Sequence, residues 1–87
     1  MDSKTTLGRK LAEAVGWYGT VAIVGAYALV SFKVVAADGL VYQLLNLTGA
    51  LGIIVISAIK GVKQSVTLNV FWALIALVAL VSLAVNA

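Results

Sequence analysis

The residues of this sequence best suited to chemistry are carboxamides and aromatic rings that stand within long apolar runs. Gln43 and Asn46 are three residues apart in the stretch VYQLLNLTGALG, and Tyr42 precedes them. Asn69 and Trp72 are also three apart, a spacing that puts each pair on one side of a helix. An asparagine brings two N–H donors and a carbonyl acceptor. These residues can therefore hydrogen-bond either a neutral polar solute or a neighbouring helix.

None of these groups forms a catalytic or metal-binding set. The sequence has no cysteine and no histidine, and its three acidic residues are scattered along the chain. Neither a zinc site nor a Cys/His or Ser/His/Asp arrangement can be built from them. A glycine-rich phosphate loop after a strand pattern is absent from the sequence as well. We therefore expect no enzyme activity, no metal and no cofactor.

The composition places these polar residues in a membrane. Hydrophobic residues make up 63% of the 87 residues and charged residues 10%, against roughly 45–50% and 25% in soluble proteins. A chain this short cannot hide three such helices from water, so a lipid bilayer is the expected partner. The basic residues behind the net charge of +3 lie at the ends of apolar runs. This position indicates anionic lipid and not nucleic acid.

Three apolar runs predict an all-α membrane protein with three transmembrane helices. After an interfacial segment at 1–12, we expect spans at about 13–35, 40–59 and 66–85, close to the roughly 20 residues that cross a bilayer. Short connections make consecutive helices antiparallel neighbours and leave no soluble domain. The first run is longer than the apolar part of a signal peptide, so we expect it to be retained.

The basic residues also predict an orientation. Five of the six fall in the N-terminal segment and the second loop, which favours a cytoplasmic N-terminus and an external C-terminus in the cell inner membrane. Lys33 is expected to extend its ammonium to the outer interface. Glu13 follows Lys10 by three residues and Arg9 by four, so we expect an ion pair within that helix.

Small residues line one side of the first two spans. Such residues let transmembrane backbones approach closely, which favours a homo-oligomer, most simply a homodimeric helical bundle. The glycines predicted to serve helix packing are Gly16, Gly19, Gly25, Gly49 and Gly52.

Two interpretations of the polar residues stay open. In the first, the carboxamides only fasten helices together. In the second, polar and aromatic residues line a solute-binding cavity in which an aromatic ring stacks on the solute and carboxamides hydrogen-bond it. The residues assigned to such a cavity are Asn69, Trp72, Asn46, Gln43, Tyr42 and Tyr27.

The segments GWYGTVAIVGAYALVS, YQLLNLTGALG and LNVFWALIAL carry two resemblances. Over residues 16 to 78 the chain resembles a family of small uncharacterised bacterial membrane proteins with a permease-like description. More remotely, its layout is similar to the SemiSWEET sugar transporters, with Asn69 at the place of that family's pocket asparagine. The second resemblance implies a parallel homodimer with a central cavity and alternating access. The family's Pro-Gln hinge is missing, because this chain has no proline.

The leading hypothesis from the sequence is a dimeric transporter or channel-like half-unit for a neutral polar solute, sugar-like or heterocyclic. The alternative is a non-catalytic structural or accessory subunit that packs against a larger membrane complex.

Overall fold

The chain folds into three helices and two short connections. The computed structural model describes residues 3–86, with side chains from residue 6 onward. The helices are α1 (Ser3–Ser31), α2 (Leu40–Lys60) and α3 (Lys63–Asn86). Residues 1, 2 and 87 lie outside the described residues, and they include the start of the predicted interfacial segment.

All three helices are long and apolar enough to cross a membrane. The candidate spans are Thr6–Ser31, Leu40–Lys60 and Lys63–Asn86. This confirms the prediction of an all-helical protein with three candidate membrane-spanning helices.

Helix α1 begins at Ser3, within the predicted interfacial segment, and ends at Ser31, four residues before the predicted end of the first span of 13–35. It ends there because Lys33 adopts a left-handed backbone with φ of 61°. The Val34 N–H then donates to the Leu29 carbonyl over 2.8 Å, the six-to-one hydrogen bond that closes a Schellman motif. Hydropathy does not register this turn, since valines continue the apolar pattern beyond it.

Helix α2 ends in the same way, and here the left-handed position is a glycine. Gly61 has φ of 72°, its N–H donates to the Ala58 carbonyl, and the Val62 N–H donates to the Ser57 carbonyl. Helix α3 begins directly afterwards at Lys63, three residues before the predicted start of the third span.

Helix α2 is the centre of the packing. It contacts both α1 and α3, whereas no Cα atoms of α1 and α3 approach within 8 Å of each other in the described part of the chain. The buried apolar residues at the two contacts are alanines, and large apolar side chains point outward. Small residues inside and large ones outside are typical of helices that pack in lipid. The buried alanines are Ala12, Ala22, Ala26, Ala50, Ala73 and Ala76.

Candidate functional site

The contact between α1 and α2 is a seam of glycines. An ideal Cβ on Gly16 would lie 2.5 Å from Ile56 Cγ2, and one on Gly52 would lie 2.5 Å from the Val15 carbonyl oxygen. Gly19 and Gly49 face each other's carbonyl oxygens across the same contact. These four glycines let the two backbones approach more closely than any larger residue allows.

The structure therefore brings together four of the five glycines predicted to pack helices, and it uses them within one chain. Gly25 lies apart from them, and an added Cβ there would meet no atom within 4 Å.

Two polar contacts flank the glycine seam. The hydroxyls of Tyr18 and Thr48 are 2.6 Å apart, with Thr48 also donating to the Leu44 carbonyl over 2.8 Å. Lys60 Nζ lies 2.7 Å from Glu13 Oε1. The expectation that Glu13 pairs within its own helix is thus wrong, because the last residue of α2 reaches the same level of α1. Both polar contacts tie α1 to α2.

The contact between α2 and α3 is a polar seam. The Trp72 indole N–H donates to Asn46 Oδ1 over 3.1 Å. Farther along, the hydroxyls of Ser57 and Ser65 are 2.7 Å apart, and Asn69 donates to the Ser65 carbonyl over 2.9 Å. Asn46, Ser57 and Asn69 are only 4%, 6% and 7% exposed. Every side-chain nitrogen or oxygen that is fully buried among the described residues has a hydrogen-bond partner, as polar atoms in lipid require.

Of the six residues assigned to a solute cavity, Asn46 and Trp72 are joined by a hydrogen bond, whereas Asn69 bonds to the backbone of its own helix. Gln43 donates to the Ala37 carbonyl over 3.2 Å, which fixes the connection before α2. Tyr27 on α1 is 71% exposed.

Tyr42 is half-buried near the start of α2. Asn46, Asn69 and Trp72 line none of the three clefts around Glu13, Gln43 and Lys63.

Open clefts lie at both ends of the molecule. At one end, a cleft of about 230 Å³ lies between the α1–α2 connection, the start of α2 and the end of α3, with Asp38, Gln43 and Asn86 in its wall. At the other end, one of about 410 Å³ lies beside Ser57 and Lys63. A third, of about 220 Å³, lies between α1 and α2 around the Glu13–Lys60 ion pair.

Four hydroxyl residues at the seams were not among the residues predicted from the sequence: Tyr18, Thr48, Ser57 and Ser65. A signal for Ser57 was present, since it follows Ala50 by seven residues and Asn46 by eleven and so shares their side of α2. The partner of Ser57 lies on α3, so spacing along α2 cannot identify it.

The described residues contain no group of three His, Cys, Asp or Glu side chains that could hold a metal ion.

Comparison with known proteins adds one finding. A protein-family model for a small uncharacterised family matches residues 12–87, which is most of the chain. The chain belongs to this family. The matched segment contains both seams and the residues that line the clefts around Glu13, Gln43 and Lys63.

No curated protein and no solved structure matches the chain. The resemblance to SemiSWEET transporters and the permease description thus receive no support from these comparisons.

Proposed function

We propose that the chain is a non-catalytic membrane subunit that works by packing against other transmembrane helices. The observation that carries this proposal is the pairing of its carboxamides inside the chain. Asn46 on α2 is bonded to Trp72 on α3, and Asn69 is bonded to Ser65 within α3; both asparagines are more than nine-tenths buried. The bond between Asn46 and Trp72 fastens two helices, and the bond of Asn69 keeps its carboxamide occupied inside the chain.

The outer surface supports the same proposal. In the most apolar windows of the three helices, only 22%, 28% and 17% of residues are buried within the chain. The buried fraction is low even for the central helix α2, because α1 and α3 do not contact one another and leave part of α2 uncovered. Aromatic side chains such as Trp17 and Tyr27 also remain exposed. A three-helix unit with so little internal burial has ample surface for other transmembrane helices.

A transporter half-unit for a neutral polar solute is the second candidate, and one observation favours it. Asn46 uses its Oδ1 to accept from Trp72, while its side-chain N–H groups donate to no atom of the described residues. In a homodimer this nitrogen would be a donor available to a solute held between two copies.

Cysteine cross-linking in native membranes tests the packing proposal directly, because the natural chain has no cysteine. Single cysteines at exposed positions such as Tyr27 and Val78 should cross-link to neighbouring helices with helical periodicity. The matched controls are cysteines at the buried positions Ala26 and Ala73, which should not react. Uniform absence of cross-links along α1 and α3 would contradict the proposal.

Uptake into vesicles separates the two candidates. Purified protein in vesicles should take up sugars and small heterocycles no faster than protein-free vesicles do. Uptake that disappears in Trp72→Ala, in protein that keeps its helical circular dichroism, would instead establish the transporter half-unit.

A further inference from the structure

The cleft between α1 and α2 combines opposite charges with an aromatic ring. It encloses about 220 Å³ at the end of α2 where Lys60 lies. Lys60 supplies an ammonium, Glu13 a carboxylate and Trp17 an indole that is 66% exposed. The full lining is Glu13, Gly16, Trp17, Thr20, Ile56 and Lys60.

The length of α2 places this cleft at a membrane boundary. Its 21 residues rise about 31 Å, which matches the roughly 30 Å of a bilayer's hydrocarbon core. Lys60 is the last residue of α2, so its ammonium lies where hydrocarbon gives way to headgroups. Glu13 is at the same level through the 2.7 Å ion pair, and Trp17 lies one turn deeper on α1. Thr20 and Ile56 continue the cleft toward the acyl chains.

The ion pair leaves bonding capacity on both partners. A lysine ammonium has three donors, and the contact with Glu13 uses one of them. The side chains of Lys60 and Glu13 are 47% and 39% exposed, so both can be reached from outside. A phosphate would pair with the lysine, while a primary ammonium would pair with the carboxylate and lie over the indole face.

We propose that this cleft binds the zwitterionic headgroup of a phosphatidylethanolamine lipid. The phosphate contacts Lys60, and the ethanolamine ammonium lies between Glu13 and Trp17. A purely anionic headgroup fits less well, since its charge meets the Glu13 carboxylate with no ammonium to offset the repulsion. The volume agrees with a headgroup, as it is below the roughly 300–1,000 Å³ of sites for drug-sized ligands.

Native mass spectrometry of the full chain in detergent tests this proposal. Phosphatidylethanolamine and phosphatidylglycerol are added at equal concentration, and the bound lipid per chain is counted. The unmodified protein should retain one phosphatidylethanolamine molecule in preference to phosphatidylglycerol. Lys60→Gln should weaken its binding about threefold to fivefold, the effect expected of an exposed charge pair. Glu13→Gln should remove the preference for phosphatidylethanolamine, because the carboxylate pairs with the ethanolamine ammonium and repels a purely anionic headgroup.

Lys63→Gln is the matched control. Lys63 lies three residues from Lys60 but in the wall of another cleft, so this variant should bind as the unmodified protein does. Circular dichroism checks that each variant stays helical, and soluble phosphoethanolamine tests for a water-soluble ligand. Equal retention of the two lipids, an unchanged preference in Glu13→Gln, or binding of phosphoethanolamine as tight as that of the lipid would overturn the proposal.

Discussion

The glycine seam makes Gly52→Ala a sharp test of how α1 and α2 are held together. The added Cβ would lie 2.5 Å from the Val15 carbonyl oxygen, whereas ordinary contacts begin at 3.4 Å. The obstructing atom belongs to the backbone and cannot rotate away. Helix α1 must therefore move from α2 by about 0.9 Å, the difference between these two distances.

The free energy of this movement follows from packing. A gap of about 0.5–1 Å forfeits a quarter to a half of the dispersion energy of each atom pair along the seam. Overpacking of this kind costs typically about 1–3 kcal/mol, and the better helix propensity of alanine returns at most about 1 kcal/mol. We expect Gly52→Ala to lower the free energy of unfolding by about 1–2 kcal/mol.

Reversible unfolding in mixed detergent and dodecyl sulfate micelles measures this change, with circular dichroism and tryptophan fluorescence as probes. Gly25→Ala is the matched control, because its Cβ meets no atom within 4 Å, and it should leave stability unchanged or raise it by up to about 1 kcal/mol. Gly16→Ala should fall between the two, since rotation of Ile56 can move its Cγ2 away but not its Cβ, which would lie 2.9 Å from the added atom. Equal changes in all three variants, at several protein concentrations, would refute the reasoning.

Three further predictions concern the α2–α3 seam, the first connection and the orientation. In a double-mutant cycle of Asn46→Leu and Trp72→Phe, unfolding in the same micelles should give a coupling of about 0.6 kcal/mol, at most about 2; no coupling would show that the hydrogen bond contributes nothing. Lys33→Gly should stabilise the fold by about 1 kcal/mol, because glycine accepts the left-handed backbone at φ of 61° without steric cost; a loss of stability would contradict this. A reporter fused after Ala87 should behave as external and one before Met1 as cytoplasmic, and a cytoplasmic C-terminal signal would reject the predicted orientation.

The number of helices and the small-residue character of their contacts could be predicted from the sequence. Long apolar runs indicate membrane helices because lipid offers no hydrogen bonds to the backbone, and a helix satisfies its backbone internally. The glycines at positions 16, 19, 49 and 52 were recognisable because their spacing puts them on one side of each helix. Both signals depend only on residues close together in the sequence, so they can be recognised without the tertiary structure.

The end of α1 is a local feature that hydropathy nevertheless missed. Lys33 turns the backbone while apolar residues continue past it, and hydropathy records side-chain transfer energies and not dihedral angles. Gly61 ends α2 by the same motif, and there a glycine marks the turn.

Only the tertiary structure decided which residues the polar side chains pair with through ion pairs and hydrogen bonds. Glu13 pairs with Lys60 and not with its own helix, Asn46 pairs with Trp72, and Ser57 with Ser65. These choices depend on the rotation and register of α2 against its neighbours. Many weak contacts set that rotation jointly, and no single residue spacing encodes it. The sequence by itself thus determined that the helices form and which of their sides can pack closely, whereas the packed chain decided that α2 lies at the centre and that its carboxamides bond within the fold.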